Sequence, residues 1–234
     1  MKKKIGISFT RTNFQYYWNW FSTKDLSDKV ELVELSFEKN NIEDFQQCDG
    51  FVLTGGVDID PTLYGGASSY DHQPDQFQRE RDLFEEKIFN YSQFHQLPLL
   101  GICRGLQLIN VLQGGKLIED IDEANLVHKK EGDIDKQHPI TIGKNTLLAE
   151  ITGAQTANVN SAHHQVVQPD ALGTNLMVSA WSDDSIIEAL EFKNKTGKAF
   201  MLCVQWHPER MQNKEQNPLS AKIRDRFIAE LKNK

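Results

Sequence analysis

The sequence predicts an α/β protein with three αβα layers and a mainly parallel central sheet. In the first half, short apolar runs alternate with longer amphipathic ones, the pattern of strands joined by covering helices. Several of those runs are apolar enough to be covered on both faces, as parallel strands are. No linker, internal repeat or low-complexity tract divides the chain, so residues 1–234 read as one domain.

Taken in order, Lys3 to Phe9 reads as a first strand and Val30 to Leu35 as a second. Phe51-Val52-Leu53 reads as a buried strand that runs into the turn Thr54-Gly55-Gly56. Phe84, Ile88 and Tyr91 recur at helical spacing and predict a helix over 79–95. Pro98 to Cys103 is a short apolar run. The helical pattern of Arg104 to Leu112 follows it and stops at Gly114-Gly115. The second half is richer in strands, with candidates at 138–142, 156–159, 177–181, 186–192 and 199–204. A closing amphipathic helix is predicted over 220–232, and Glu119 to Gln137 reads as a long surface loop.

Bulk properties narrow the function. The net charge of −7 and a pI near 5.5 imply no basic face, which argues against nucleic acid or an anionic membrane as partner. Three widely spaced cysteines, Cys48, Cys103 and Cys203, do not form a disulfide framework and suit a reducing, cytoplasmic location. The basic start, Met1 to Phe9, lacks the apolar run and cleavage site of a signal peptide. No stretch approaches the ~18 apolar residues of a membrane span.

Gly101-Ile102-Cys103-Arg104-Gly105 lies between an apolar strand and a helix. It is the thiol counterpart of a nucleophile elbow. Such a turn projects the side chain above the sheet at a helix N-terminus, where the dipole and free N–H groups favour a thiolate. The alternative is a small buried hydrophobe, the usual fate of a free Cys. In Gln205-Trp206-His207-Pro208-Glu209, residues two apart face the same way, so a carboxylate at 209 can orient the imidazole at 207. A lone histidine here would be read as structural. A cysteine elbow in the same chain shifts the reading to a Cys103, His207, Glu209 triad. The Thr54-Gly55-Gly56 turn can offer a backbone N–H to an oxyanion, or be simply a tight turn.

With these segments the chain resembles the class I glutamine amidotransferase-like superfamily, and within it the γ-glutamyl-γ-aminobutyrate hydrolase group. The resemblance spans residues 3–230. It includes Gly55-Gly56-Val57-Asp58, Arg81-Asp82 with Phe84-Glu85, Gly114-Gly115-Lys116-Leu117 and Asn160-Ser161-Ala162-His163-His164-Gln165. It implies a flavodoxin-like fold and hydrolysis of a γ-glutamyl amide through a Cys103 thioester, with no cofactor. His207 would be base and then acid, and Glu209 its orienter. The N–H groups of Gly56 and Arg104 would form the oxyanion hole, and Gln107, His163, His164 and Gln165 would meet the γ-glutamyl group. A homodimer is left open. The alternative within the resemblance is a glutaminase subunit that supplies ammonia to a partner synthetase, since this chain carries no synthetase domain. A catalytically silent module is the third reading. The second strand lacks the glycine and proline common in the hydrolase group, and Glu119 stands where Gln is frequent. With the aromatic run at 14–21, these departures bear on the leaving amine.

Other features carry a bland reading beside the functional one. Six aromatics between Phe14 and Phe21 either line the pocket mouth or pack against the sheet or a partner subunit. Asp58 is a substrate contact or a turn cap. Arg81 and Asp82 are a substrate rim or, preferably, a solvated helix start. His128, His138, His163 and His164 show no H-x-x-x-H or H-E-x-x-H spacing, so no metal site is expected. Cys48 and Cys203 are expected in the core.

Overall fold

A computed structural model describes residues 2–231. Met1 and residues 232–234, including the last position of the predicted closing helix, lie outside the described residues. The elements are β1 (Lys3–Ser8), α1 (Phe14–Phe21), β2 (Val30–Leu35), β3 (Gly50–Leu53), α2 (Arg79–His95), β4 (Leu99–Ile102), α3 (Arg104–Leu112) and β5 (Leu117–Ile118). They continue with α4 (Asn125–His128), β6 (Lys136–Ile142), α5 (Leu147–Thr152), β7 (Thr156–Ser161), β8 (Val166–Val167), β9 (Leu176–Ser182), β10 (Ile187–Phe192), β11 (Met201–Val204) and α6 (Ala221–Glu230).

The main sheet has the order β2-β1-β3-β4-β11-β10-β9-β6-β7. It is parallel from β2 through β11, then antiparallel through β10, β9, β6 and β7. Side chains alternate between its faces as the two-residue strand period requires. Val52, Leu100, Ile102, Leu202 and Val204 join a core with Trp20 and Phe21 of α1, Leu148 of α5 and Phe227 of α6. Phe51, Leu53, Leu99 and Cys203 join a second core with Phe84 and Ile88 of α2 and Leu106 and Ile109 of α3. These two cores between helices and sheet make the three αβα layers.

The boundaries of β2, α2 and α3 coincide with the sequence reading. Gly114 ends α3 at φ +84°, and the Gly115 N–H closes on the Asn110 carbonyl at 2.9 Å. The aromatic run, given no element from sequence, is α1. The predicted long loop contains a 3-10 turn (Asp122–Ala124) and α4. Helix α5 also went unread, although Thr146 caps it by accepting the Ala149 N–H at 3.1 Å.

The carboxyl ends of β3, β4 and β11 lie side by side in the parallel half. Leu53 pairs with Gly101 and Ile102 with Val204. Gly55, Cys103 and His207 each follow one of these ends, where open α/β sheets bind ligands.

Candidate active site

Cys103 stands between β4 and α3 at φ +52°, ψ −103°, outside the main regions for a residue with a Cβ. The strained turn is held by the Cys103 N–H, which donates to the Val204 carbonyl at 2.7 Å. Gly105 lets α3 lie against β3, because a Cβ there would fall 2.4 Å from the Leu53 carbonyl oxygen. The thiol is buried, and Gln205 Nε2 donates to its sulfur at 3.4 Å.

His207 follows β11, and its Nδ1 lies 2.8 Å from Oε1 of the fully buried Glu209. The imidazole and Cys103 face the same point: a Cβ on Gly55 would lie 2.9 Å from His207 Cε1 and 3.5 Å from Cys103 Cβ. Burial alone would push this imidazole down, but the Glu209 carboxylate and then Cys103 outweigh it and raise it to about 9. Sulfur, imidazole and carboxylate are thus in sequence.

The His-Pro-Glu turn is anchored from α1. Trp20 Nε1 donates to Ser220 Oγ at 3.0 Å, and Ser220 Oγ donates to the Pro208 carbonyl at 2.7 Å. The Tyr17 hydroxyl accepts the Gly55 N–H at 3.0 Å and lies 3.3 Å from His207 Nδ1. Burial, followed by Glu209, pushes Tyr17 up and keeps it protonated. A Cβ on Gly55 would sit 2.9 Å from His207 Cε1 and 2.6 Å from the Tyr17 oxygen, so this position admits only glycine. The aromatic run therefore mostly packs: Tyr17, Trp20 and Phe21 are buried, while Tyr16 lines a cleft of about 550 Å³ with Asn160, Asp135 and Arg210.

The expectation of a solvated start to α2 is overturned. Arg81, Asp82 and Glu85 are buried, and with Arg104 they form a closed ionic network. Arg104 pairs with both carboxylates, and Arg81 Nε donates to Glu85 at 2.9 Å. Helical spacing puts 81 and 85 on one face of α2, and the elbow supplies the second arginine. Arg81 Nη2 also donates to the Thr54 carbonyl at 3.1 Å and the Gly55 carbonyl at 2.9 Å. A trans peptide points its N–H opposite its carbonyl, so this grip turns the Gly56 N–H away from Arg81. Gly56 itself has φ +146°. The N–H of Arg104 belongs to the unpaired first turn of α3.

The remaining sequence-predicted residues divide. Gln107 Nε2 donates to the Gln165 carbonyl at 2.6 Å and to Gln205 Oε1 at 3.3 Å, which links both residues to the Cys103 side. Gln165 Oε1 accepts the Ile59 N–H at 3.2 Å. His164 turns away to Asp58 (3.3 Å) and Asp120 (3.1 Å). Burial lowers its pKa, but Asp58 and Asp120 win and raise it. Asp58 is engaged by His164 and by the Tyr70 hydroxyl at 2.8 Å, so it does not cap its own turn. His163 turns into a buried group with His128, His138 and Glu188. Burial pushes Glu188 up to about 7 against the pull of His138 and His128, and pushes His163 down to about 3. Among the described residues, two groups bring enough ligand atoms together to hold a metal: this buried one, and the more exposed His72, Asp120 and His164. Spacing rules read from sequence missed both.

Gln205 was not singled out from sequence. The same period-two reasoning that paired 207 with 209 puts 205 on their side of the extended chain. Cys48 and Cys203 are buried, as expected. Among the described residues, no helix is long and apolar enough to cross a membrane.

Residues 32–209 match the peptidase C26 family. A Mycobacterium tuberculosis protein with a glutamine amidotransferase name, Rv2859c, is 37% identical over 68% of this chain, and the match spans 50% of that protein's length. YvdE of Lactococcus lactis, named for its likeness to glutamine amidotransferases, is 33% identical over 87% of this chain and 81% of its own. The γ-glutamyl-γ-aminobutyrate hydrolase PuuD of Escherichia coli K12 is 32% identical over 78% of this chain and 71% of its own. Among solved structures, the glutaminase domain of Trypanosoma brucei CTPS with bound acivicin superposes with a TM-score of 0.71. That match covers 100% of this chain and 96% of the other at 14% identity, a likeness of fold.

Proposed function

The chain belongs to the peptidase C26 family of class I glutamine amidotransferase-like proteins, and from that membership we propose that it hydrolyses a γ-glutamyl amide bond through a thioester on Cys103. The observation that carries the reading is the convergence of Cys103 and His207 beside Gly55, with the imidazole held by the buried carboxylate of Glu209.

The Cys103 thiolate attacks the γ-carbonyl. The oxyanion is stabilised by the N–H groups of Gly56 and Arg104, and losing one such donor costs about 100- to 1,000-fold in rate. His207, protonated and steadied by Glu209, gives its proton to the departing amine as the thioester forms. It then takes a proton from water as water attacks the thioester, and glutamate leaves with the thiolate restored. Gln205 and Gln107 hold the thiol and the Gln165 backbone in place. Gln165, His163 and His164 belong to the loop assigned to the γ-glutamyl group, with His163 and His164 acting through the backbone. The same reading takes residues 1–234 as one domain with a small-molecule substrate and places it in a reducing, cytoplasmic setting.

The relatives that carry glutamine amidotransferase names favour a second reading, a glutaminase subunit serving a partner synthetase. A panel of γ-glutamyl amides set against glutamine separates the two. The hydrolase reading expects amine release faster than ammonia release, with none from Cys103→Ala. Glutamine hydrolysis that dominates and rises with an added partner overturns it.

A further inference from the structure

Four side chains that are distant in sequence converge beside the candidate active site. His128 ends α4, His138 lies in β6, His163 follows β7 and Glu188 lies in β10. All four are buried, none more than 4% exposed. Glu188 Oε1 lies 3.4 Å from His138 Nε2, 3.7 Å from His128 Nδ1 and 3.7 Å from His163 Nε2. These separations are too long for good hydrogen bonds, and Glu188 Oε1, His138 Nε2 and His163 Nε2 have no hydrogen-bond partner. Donors about 2.0–2.1 Å from a tetrahedral zinc ion stand ~3.4 Å apart, close to the three Glu188 separations, and all four ligand atoms lie within 4.8 Å of one another.

The ring nitrogens on the far side strengthen the case. His128 Nε2 lies 3.0 Å from Asp184 Oδ2, and His138 Nδ1 lies 3.1 Å from the Pro139 carbonyl. An N–H donated to each of these acceptors leaves His138 Nε2 with a lone pair aimed at the carboxylate, and His128 Nδ1 with one that faces both the carboxylate and Ser161 Oγ, 3.4 Å away. Lone pairs facing a buried carboxylate repel unless a proton or a metal cation stands between them. Metal-bound histidines are oriented in this way by an outer carboxylate or carbonyl.

We infer that His128, His138, His163 and Glu188 form a tetrahedral binding site for a divalent transition-metal ion, zinc by its donor set. Three imidazoles and a carboxylate suit zinc. Four protein donors leave no open position, so the ion is structural. It staples α4, β6 and β10 to the segment after β7. β7 itself supplies Asn160, which accepts the His207 N–H at 3.2 Å, and the segment after it supplies Gln165, whose carbonyl accepts from Gln107.

The test is elemental analysis of tag-free full-length protein made in zinc-supplemented medium. About one zinc per chain is expected. His138→Ala and Glu188→Gln should each reduce it at least about tenfold. A second measurement keeps the test decisive if a variant fails to fold. Wild-type protein stripped by a strong chelator should melt at a lower temperature, recover on adding zinc chloride, and show tetrahedral visible absorption with cobalt chloride instead. Wild-type protein without bound metal and unmoved by zinc chloride, or variants that keep the wild-type zinc content, would overturn the site. None of these readouts depends on γ-glutamyl turnover.

Discussion

Two buried polar clusters flank the candidate site, and they are built on opposite terms. The one beneath the elbow joins Arg81, Asp82, Glu85 and Arg104, two cations against two anions, each carboxylate held by a guanidinium. The one on the antiparallel side joins three imidazoles to Glu188, and its facing atoms make no hydrogen bonds to one another. The first answers its own charges and grips the Thr54 and Gly55 carbonyls, with Arg104 Nε its one atom left without a hydrogen-bond partner among the described residues. The second sets acceptors against acceptors, an arrangement that the proposed metal ion would answer. A buried group that is satisfied rigidifies its surroundings, whereas one that is half satisfied points to a missing partner.

Cys103 lies between the clusters and sets the scale. Cys103→Ala should lower turnover of a γ-glutamyl amide at least about 10⁴-fold while leaving the melting temperature within a degree or two. A large loss of stability would make the thiol part of the packing rather than the chemistry. Removing one member of the closed cluster comes next. Arg81→Met leaves Glu85 with Arg104 alone and frees the Gly55 carbonyl, and it should cost about 3–5 kcal/mol by urea denaturation. Arg81→Lys should fold better yet stay slow, because one ammonium cannot hold Glu85 and the 54–55 carbonyls together.

The imidazole links the clusters to the pH dependence. With His207 raised to about 9, the rate of amine release should fall about tenfold per unit above that pH. The protonated imidazole is also a stabilising charge. Its contribution is full below the unfolded value of about 6.5 and is lost as pH rises through about 9. Glu209→Gln should move both transitions downward. Tyr17→Phe is expected to do less, about 1–3 kcal/mol, by leaving the buried Gly55 N–H unpaired. The smallest effect belongs to the open cluster. In chelator-stripped protein, Glu188→Gln should change stability by less than about 1 kcal/mol, since it removes a charge that nothing there satisfies. A loss as large as that of Arg81→Met would mean that both clusters are closed networks.

The unequal legibility of the two clusters has a physical cause. The alternation of strands and helices, the elbow and the His-x-Glu pair are local patterns, so their periods announced β2, α2 and α3 and singled out Cys103, His207 and Glu209 as candidates. The run at 14–21 hid its helix because aromatics occupy both faces, and only burial separates Tyr17, Trp20 and Phe21 from the exposed Tyr16. Arg81 and Asp82 looked like solvent-facing charges because what they reach across to, the Thr54 and Gly55 carbonyls for Arg81 and Arg104 for Asp82, comes from other elements. His128, His138, His163 and Glu188 come from four segments that only the sheet order brings together, so no spacing rule could have found them. His163 and His164 are neighbours in sequence and face different groups, as alternation in an extended chain dictates.

The central claim is a covalent bond to one sulfur. Protein mixed with a γ-glutamyl amide, quenched in acid and weighed intact should carry an added mass of about 129 Da, the γ-glutamyl acyl group. Peptide mapping should place it on Cys103. Steady release of amine with no such adduct, or an adduct that persists in Cys103→Ala, would contradict the account.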